Sequence, residues 1–262
     1  MNLIGEIVGV EAAPTVTAGP FLTEWAESKA VSKAPATAAR YAQIVREFLA
    51  AIGPARAEKN LGTVTAADVF RWRDGCIKRG LHPTSANQAV KILRVVLNAA
   101  RRQGLIFTNP AEAVDMLPAE QGQRETFTRE QIAALLAADT EWRGMILIGA
   151  CHGLRLGDAS RLTWANIEAG RQSLIFYPAK TSRGARRKPE EYPMHPDVAA
   201  YVLSLPAGDD PKAPLFPRLR GRAVSGARGL SREFREIMHR AGIRTEGEGE
   251  AIKGGGRGAS WN

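Results

Sequence analysis

The sequence predicts a mainly α-helical protein in two parts, the first all-α and the second α+β with one small antiparallel sheet. Three observations carry this. Between residues 18 and 107, four segments repeat apolar side chains at helical spacing, each bounded by Gly or Pro. After Ile167 the pattern changes to a β-prone run, Ser173 to Tyr177, with a returning strand expected over Glu191 to His195. With 262 residues, 44% of them hydrophobic and 24% charged, the chain can build two globular cores.

Residues 1–17 read as a loose arm, because Pro14 and its small neighbours argue against a packed helix. Phe21, Leu22 and Trp25 then start a short helix that ends near Lys33. Pro35 opens a second helix with Tyr41, Ile44, Val45, Phe48 and Ile52 on its apolar face, stopped by Gly53-Pro54. Thr65 is an N-cap for a third helix running to about Arg79, with Val69, Trp72 and Ile77 as its buried set. The fourth follows Pro83-Thr84-Ser85 and reaches Gln103, with Gly104 past its end and a stripe of Val90, Leu93, Leu97 and Ala100. Residues 108–127, with Pro110, Pro118 and Gly122, read as a linker.

Helix restarts after Thr128, whose capping box with Gln131 is a weak one. The apolar run 145–150 precedes a His-Gly-Leu turn, and Leu156, Ala159 and Leu162 point inward after it. Arg171-Gln172 fits a hairpin turn. Pro193 in the returning strand is tolerable only at a sheet edge. Pro196 begins a helix through Val202, Leu215-Phe216-Pro217 forms an apolar anchor, and a last helix near Ser231 to Ala241 turns Phe234, Ile237 and Met238 inward.

Charge narrows the function classes. The formal balance is +9, so polyanions are the first partners to consider. The excess sits in two regions: residues 35–107 hold 12 Lys/Arg against 4 Asp/Glu, and 128–262 hold 21 against 15, while 108–127 is acidic. Two basic regions with an acidic connector point to nucleic acid more than to a membrane surface. Cys76 and Cys151 are too few for a disulfide framework or a zinc site, which fits a reduced, cytoplasmic compartment. No run reaches the roughly 18 apolar residues of a membrane span.

Three groups of cations are candidates for anion contact, each with a plainer alternative. Arg155, on the Gly-containing turn, either pairs internally with Asp158 or offers its planar fork to a phosphate. Lys91, Arg94, Asn98 and Arg101 share one face of the fourth helix, either merely solvated or tracking phosphates. Residues 180–188 hold Lys180, Arg183, Arg186, Arg187 and Lys188 and no acid, either as a solvated hairpin tip or around a bound anion.

In order and content these residues resemble the tyrosine recombinase, or phage integrase, family of lambda-integrase-like proteins. The most specific match is His152-Gly-Leu-Arg-Leu-Gly-Asp158 followed by Leu162-Thr-Trp164 and Ile167, which is similar to the first catalytic-arginine box. Ala179-Lys-Thr181 before a basic hairpin resembles the catalytic-lysine segment. Thr37 to Phe48, Thr65-Ala-Ala-Asp68 and Arg101 to Pro110 resemble the family's helical core-binding domain. Leu215-Phe216-Pro217 and Phe234 to Ile243 are supporting matches.

The resemblance implies a four-helix, SAM-like core-binding domain over 18–107, a linker over 108–127 and an α+β catalytic domain over 128–262. It implies that Arg155 binds the scissile phosphate and that Lys180 protonates the departing 5′ oxygen, with Lys188 or Arg187 competing for that role. Asp158 would buttress the turn. Lys91, Arg94, Arg101, Arg183, Arg186, Arg187 and Lys188 would contact double-stranded DNA, with a homo-oligomer on DNA as the implied assembly and no metal, nucleotide or other cofactor. The family's His-x-x-Arg box and late nucleophilic tyrosine have no match in these 262 residues, so the catalytic domain is expected to be incomplete and the chain inactive alone. The alternatives are a non-catalytic DNA-binding protein that occupies or regulates recombination sites, and a basic helical adaptor.

Overall fold

The structure, a computed structural model of the chain, describes residues 15–119, 126–138, 140–178, 189–206 and 210–243. Two compact units divide the chain at about residue 121. The described residues are mainly helical with a single three-stranded antiparallel sheet, as the sequence predicts.

The first unit comprises α1 (Ala18–Ser32), α2 (Pro35–Ile52), α3 (Pro54–Ala57), α4 (Ala66–Lys78) and α5 (Pro83–Arg102). Proline stands at the start of α2, α3 and α5, where its fixed φ suits the first turn and no N–H is needed. At the start of α4, Thr65 Oγ1 accepts from the Asp68 N–H at 3.3 Å and the Asp68 carboxylate accepts from the Thr65 N–H at 2.9 Å. Gly104, with φ of 72°, supplies the left-handed residue that ends α5. Leu22, Ile44, Phe48, Val69, Trp72, Val90, Leu93 and Leu97 form the core. The apolar stripe expected on α5 is the buried one. On α4 the third buried residue is Cys76, not Ile77, which is half-buried. At 100° per residue Cys76 falls within the arc set by Val69 and Trp72, and Ile77 lies about 80° beyond Val69.

The first half of the expected linker is folded onto this unit. Ala111 and Val114 are fully buried in its core. The Asn87 side chain accepts from the Leu117 N–H at 2.8 Å and donates to its carbonyl at 2.9 Å. Prolines and alternating polar residues read as a linker, and apolar residues at every third position seat its first half on α5.

The second unit runs through α6 (Arg129–Leu135), α7 (Thr140–His152), α8 (Leu156–Ala159), β1 (Ile167–Glu168), β2 (Ser173–Phe176), β3 (Glu190–Pro193), α9 (Pro196–Ser204) and α10 (Leu230–Arg240). The Thr128–Gln131 capping box closes with both bonds, at 3.2 and 2.9 Å. In α7, Trp142, Met145, Ile146, Leu147 and Ile148 are all buried, while Arg143, Ala150 and Cys151 keep one side of the helix exposed. The sheet order is β1-β2-β3, both pairs antiparallel, with Ser173 opposite Pro193 and Phe176 opposite Glu190. Pro193 therefore lies on an edge strand, as its missing N–H requires. Gln172, at φ 49°, closes the β1–β2 turn. Leu215, Phe216, Leu219, Phe234, Ile237 and Met238 complete the second core.

Candidate functional site

The turn carrying Arg155 is fixed from both sides. Gly153, at φ 64°, leaves α7 with its N–H on the Gly149 carbonyl at 3.0 Å. Leu154 and Leu156 are buried, so Arg155 is held between two anchors with its backbone extended at φ −65°, ψ 144°. Its carbonyl accepts the first helical bonds of α8 from Asp158 and Ala159 at 2.8 and 2.9 Å. The backbone is thus immobilised while the guanidinium stays 50% exposed.

Asp158 lies beneath it with only 6% of its side chain exposed. Its Oδ1 accepts from Arg161 Nη2 at 2.7 Å, whereas its Oδ2 is 4.0 Å from Arg155 Nη1. The short bond belongs to Arg161, so the Arg155 fork is not consumed by this carboxylate. Gly157 lets the 218–229 loop cross α8 closely: a Cβ there would come within 2.8 Å of Val224. Two of that loop's arginines have partners within the protein. Arg222 pairs with Glu233 at 2.5 Å and donates to the Arg228 carbonyl at 3.2 Å, and Arg220 donates to the Arg161 carbonyl at 3.3 Å.

Lys180, Arg183, Arg186, Arg187 and Lys188 lie outside the described residues. Their two flanking strands are described, and β2 is tied back to the segment after α8. Asn166 accepts from the Thr163 N–H at 2.8 Å and donates through Nδ2 to the Ile175 carbonyl at 2.8 Å. The strand that leads into the lysine segment is therefore anchored to the element that follows the Arg155 helix.

One polar group near the turn was not singled out from the sequence. His152, the last residue of α7, has its Nε2 buried without a hydrogen-bond partner and its ring 6.2 Å from that of Tyr192. Burial, reinforced by the nearby His195, holds its pKa below the ordinary histidine value. A lone histidine in a Gly-Ala-Cys-His-Gly run carries no sequence signal of this.

The expected face on α5 is divided. Lys91 is exposed. Arg94 is half-buried and donates to the carbonyls of Ala111 and Val114 at 2.8 and 2.5 Å, while Asn109 donates to the Arg94 carbonyl at 3.0 Å. Arg101 pairs with Glu112 at 3.0 Å. Two of the three cations expected on this face thus hold the 109–114 segment in place. Spacing alone could not reveal that segment's return over α5.

Among the described residues no group of His, Cys, Asp and Glu could hold a metal ion, and no helix is long and apolar enough to cross a membrane.

No protein-family model and no curated protein sequence matches the chain. Solved structures do. A lambda integrase tetramer bound to a Holliday junction superposes with TM-score 0.69 at 18% identity, over 94% of this chain and 72% of that one. A lambda integrase dimer on a COC′ core site gives 0.67 at 18%, over 88% and 84%. A Tn1549 transposon integrase in complex with circular intermediate DNA gives 0.64 at 13%, over 88% and 80%. At these identities the likeness defines the fold alone, and the fold of this chain is that of the lambda and Tn1549 integrases.

Proposed function

We propose that the chain is a DNA-binding protein of the tyrosine site-specific recombinase type, acting in DNA integration and recombination. The observation that supports this best is the Arg155 turn: a rigid backbone carrying a half-exposed guanidinium whose neighbouring carboxylate is bonded to another arginine. In this reading residues 18–107 are the core-binding domain and 128–262 the catalytic domain, and duplex DNA is the partner. The lambda and Tn1549 integrases of the same fold are bound to DNA, two of the lambda assemblies being a dimer and a tetramer. A homo-oligomer on DNA follows from that analogy.

Within the site, Arg155 grips the non-bridging oxygens of the scissile phosphate and stabilises charge that builds there. Asp158 acts through packing and through Arg161, keeping α8 in register. Lys180 is the proton donor to the departing 5′ oxygen, and Arg183, Arg186, Arg187 and Lys188 hold the backbone nearby. Lys91 remains a contact on α5, with Arg94 and Arg101 acting mainly through the 109–114 segment.

None of the four tyrosines matches the family's nucleophile. Tyr41 stacks on Trp25, Tyr192 on Phe176 and Tyr201 on Phe216, and Tyr177 directly follows β2. These 262 residues supply no nucleophile of their own, so in this reading they bind without cleaving when alone. The roles of Arg155 and Lys180 in strand cleavage require a nucleophile from outside them, and the second reading, a protein that occupies or regulates recombination sites, follows from the same absence. Incubation with nicked suicide duplexes tests this. We expect retained complexes, weakened on the order of tenfold or more by Arg155→Ala, and no protein–DNA adduct resistant to denaturant. A robust adduct would refute the non-cleaving reading, and unchanged affinity in Arg155→Ala would refute the phosphate role.

A further inference from the structure

The first unit holds a cationic hollow that the recombinase reading leaves unused. It measures about 300 Å³ and opens between the C-terminal end of α2 and the side of α4. Arg56, Asp68, Arg71, Trp72, Gly75 and Arg79 line it, so three guanidiniums meet one carboxylate and leave an excess of two positive charges.

That carboxylate is already saturated. Asp68, with 3% of its side chain exposed, accepts from the Thr65 N–H at 2.9 Å and the Thr65 hydroxyl at 2.8 Å. It also accepts from Arg71 Nη2 at 2.6 Å and from Arg56 Nη1 in a short ion pair. One buried acid thus fixes two arginines side by side without neutralising both. Arg79 is served less well. Its Nη2 donates to the Cys76 sulfur at 3.2 Å, and burial pushes that thiol's pKa up and keeps it neutral, so the acceptor is a weak one. Arg71 remains 74% exposed beside it. Gly75 lines the hollow, and a Cβ at this helical position would stand in ordinary contact with Arg79 Nη1, at 3.6 Å, so only a larger side chain fills the space. A dense set of guanidiniums with unused donors repels itself unless an anion sits among them, and their planar forks match phosphate oxygens.

We propose that this hollow binds a phosphate group, supplied by the DNA backbone, through Arg71 and Arg79 with Arg56 behind them. The backbone source rests on the DNA-binding reading above; the phosphate chemistry does not. Such a contact positions the first unit on the duplex and carries no sequence information.

Two arms on the full chain test this. In the first, inorganic phosphate is titrated at constant ionic strength while the arginine Nε–H resonances are followed by NMR. The Arg71 and Arg79 signals shift saturably, and Gly75→Leu, which fills the hollow without removing charge, abolishes the shift. In the second, duplex affinity is measured against salt. Arg79→Ala and Gly75→Leu each reduce the log–log slope by about 0.9, the loss of one neutralised phosphate. Absence of saturable shifts overturns the phosphate site. Saturable shifts with unchanged slopes overturn the backbone as its source in favour of free phosphate. A wild-type chain that binds no duplex refutes the DNA-binding reading instead, and the first arm still decides the hollow.

Discussion

Asp68 shows how one side chain sets a local balance. Burial alone would raise its pKa, but the two bonds from Thr65 and the charges of Arg56 and Arg71 outweigh burial and hold the carboxyl below its ordinary value. A carboxylate with a depressed folded pKa contributes stability that is present above the unfolded value, about 3.9, and lost as pH falls through the folded value. Denaturant midpoints across pH 7 to 2 should therefore show a loss in acid that is smaller in Asp68→Asn. That variant should also be less stable at neutral pH by about 1–3 kcal/mol, since the charge-assisted bonds of a buried carboxylate are removed. Parallel curves for the two proteins would contradict this role. Thr65 as a cap was legible in the sequence. The convergence of Arg56 and Arg71 on Asp68 was not, because Arg56 arrives from a different helix. Arg155 and Arg94 make the same contrast: both are arginines in apolar helical contexts, yet one is half in solvent and the other is bonded to two carbonyls. Only the path of residues 109–114 tells them apart.

At the scale of elements, α7 packs closely on α9 through a glycine. Gly144 is buried, and a Cβ there would lie 2.2 Å from the Tyr201 ring. Tyr201 in turn stacks on Phe216 at 6.4 Å, so the ring has little room to retreat. Gly144→Ala gains helix propensity but overpacks this joint, which costs about 1–3 kcal/mol. The expected outcome is a Tm lowered by several degrees in a thermal melt; an unchanged or raised Tm would show that the joint can relax. Most elements could be read ahead because their signals are local. Prolines open helices, the Thr128–Gln131 box starts α6, and Pro193 marks an edge strand. The packing of the connector's first half could not be read because burial of Ala111 and Val114 depends on a surface of α5 that local pattern does not encode. The register of α4, Cys76 in place of Ile77, was missed because a cysteine counts weakly in an apolar pattern.

At the scale of the whole molecule, the uneven charge and the order of the elements converge on one account. Both basic regions were visible as counts, and the fold class followed from periodicity, while the resemblance rested on the stretch from His152 to Ile167. What neither periodicity nor charge could separate was the cation that holds the fold from the cation that meets a ligand. Arg222, Arg94 and Arg101 have partners within the protein, which leaves Arg155, Lys91, the 180–188 segment and the Arg71–Arg79 hollow as the proposed contacts. The measurement that tests this account most directly is the salt dependence of duplex binding by the full chain and by a variant with Lys180, Arg183, Arg186, Arg187 and Lys188 all changed to Ala. The account predicts a linear log–log decline for the wild type and a slope shallower by about 4.5 in the variant, one increment for each lost phosphate contact. Equal slopes, or no duplex binding by the wild type at low salt, would contradict it.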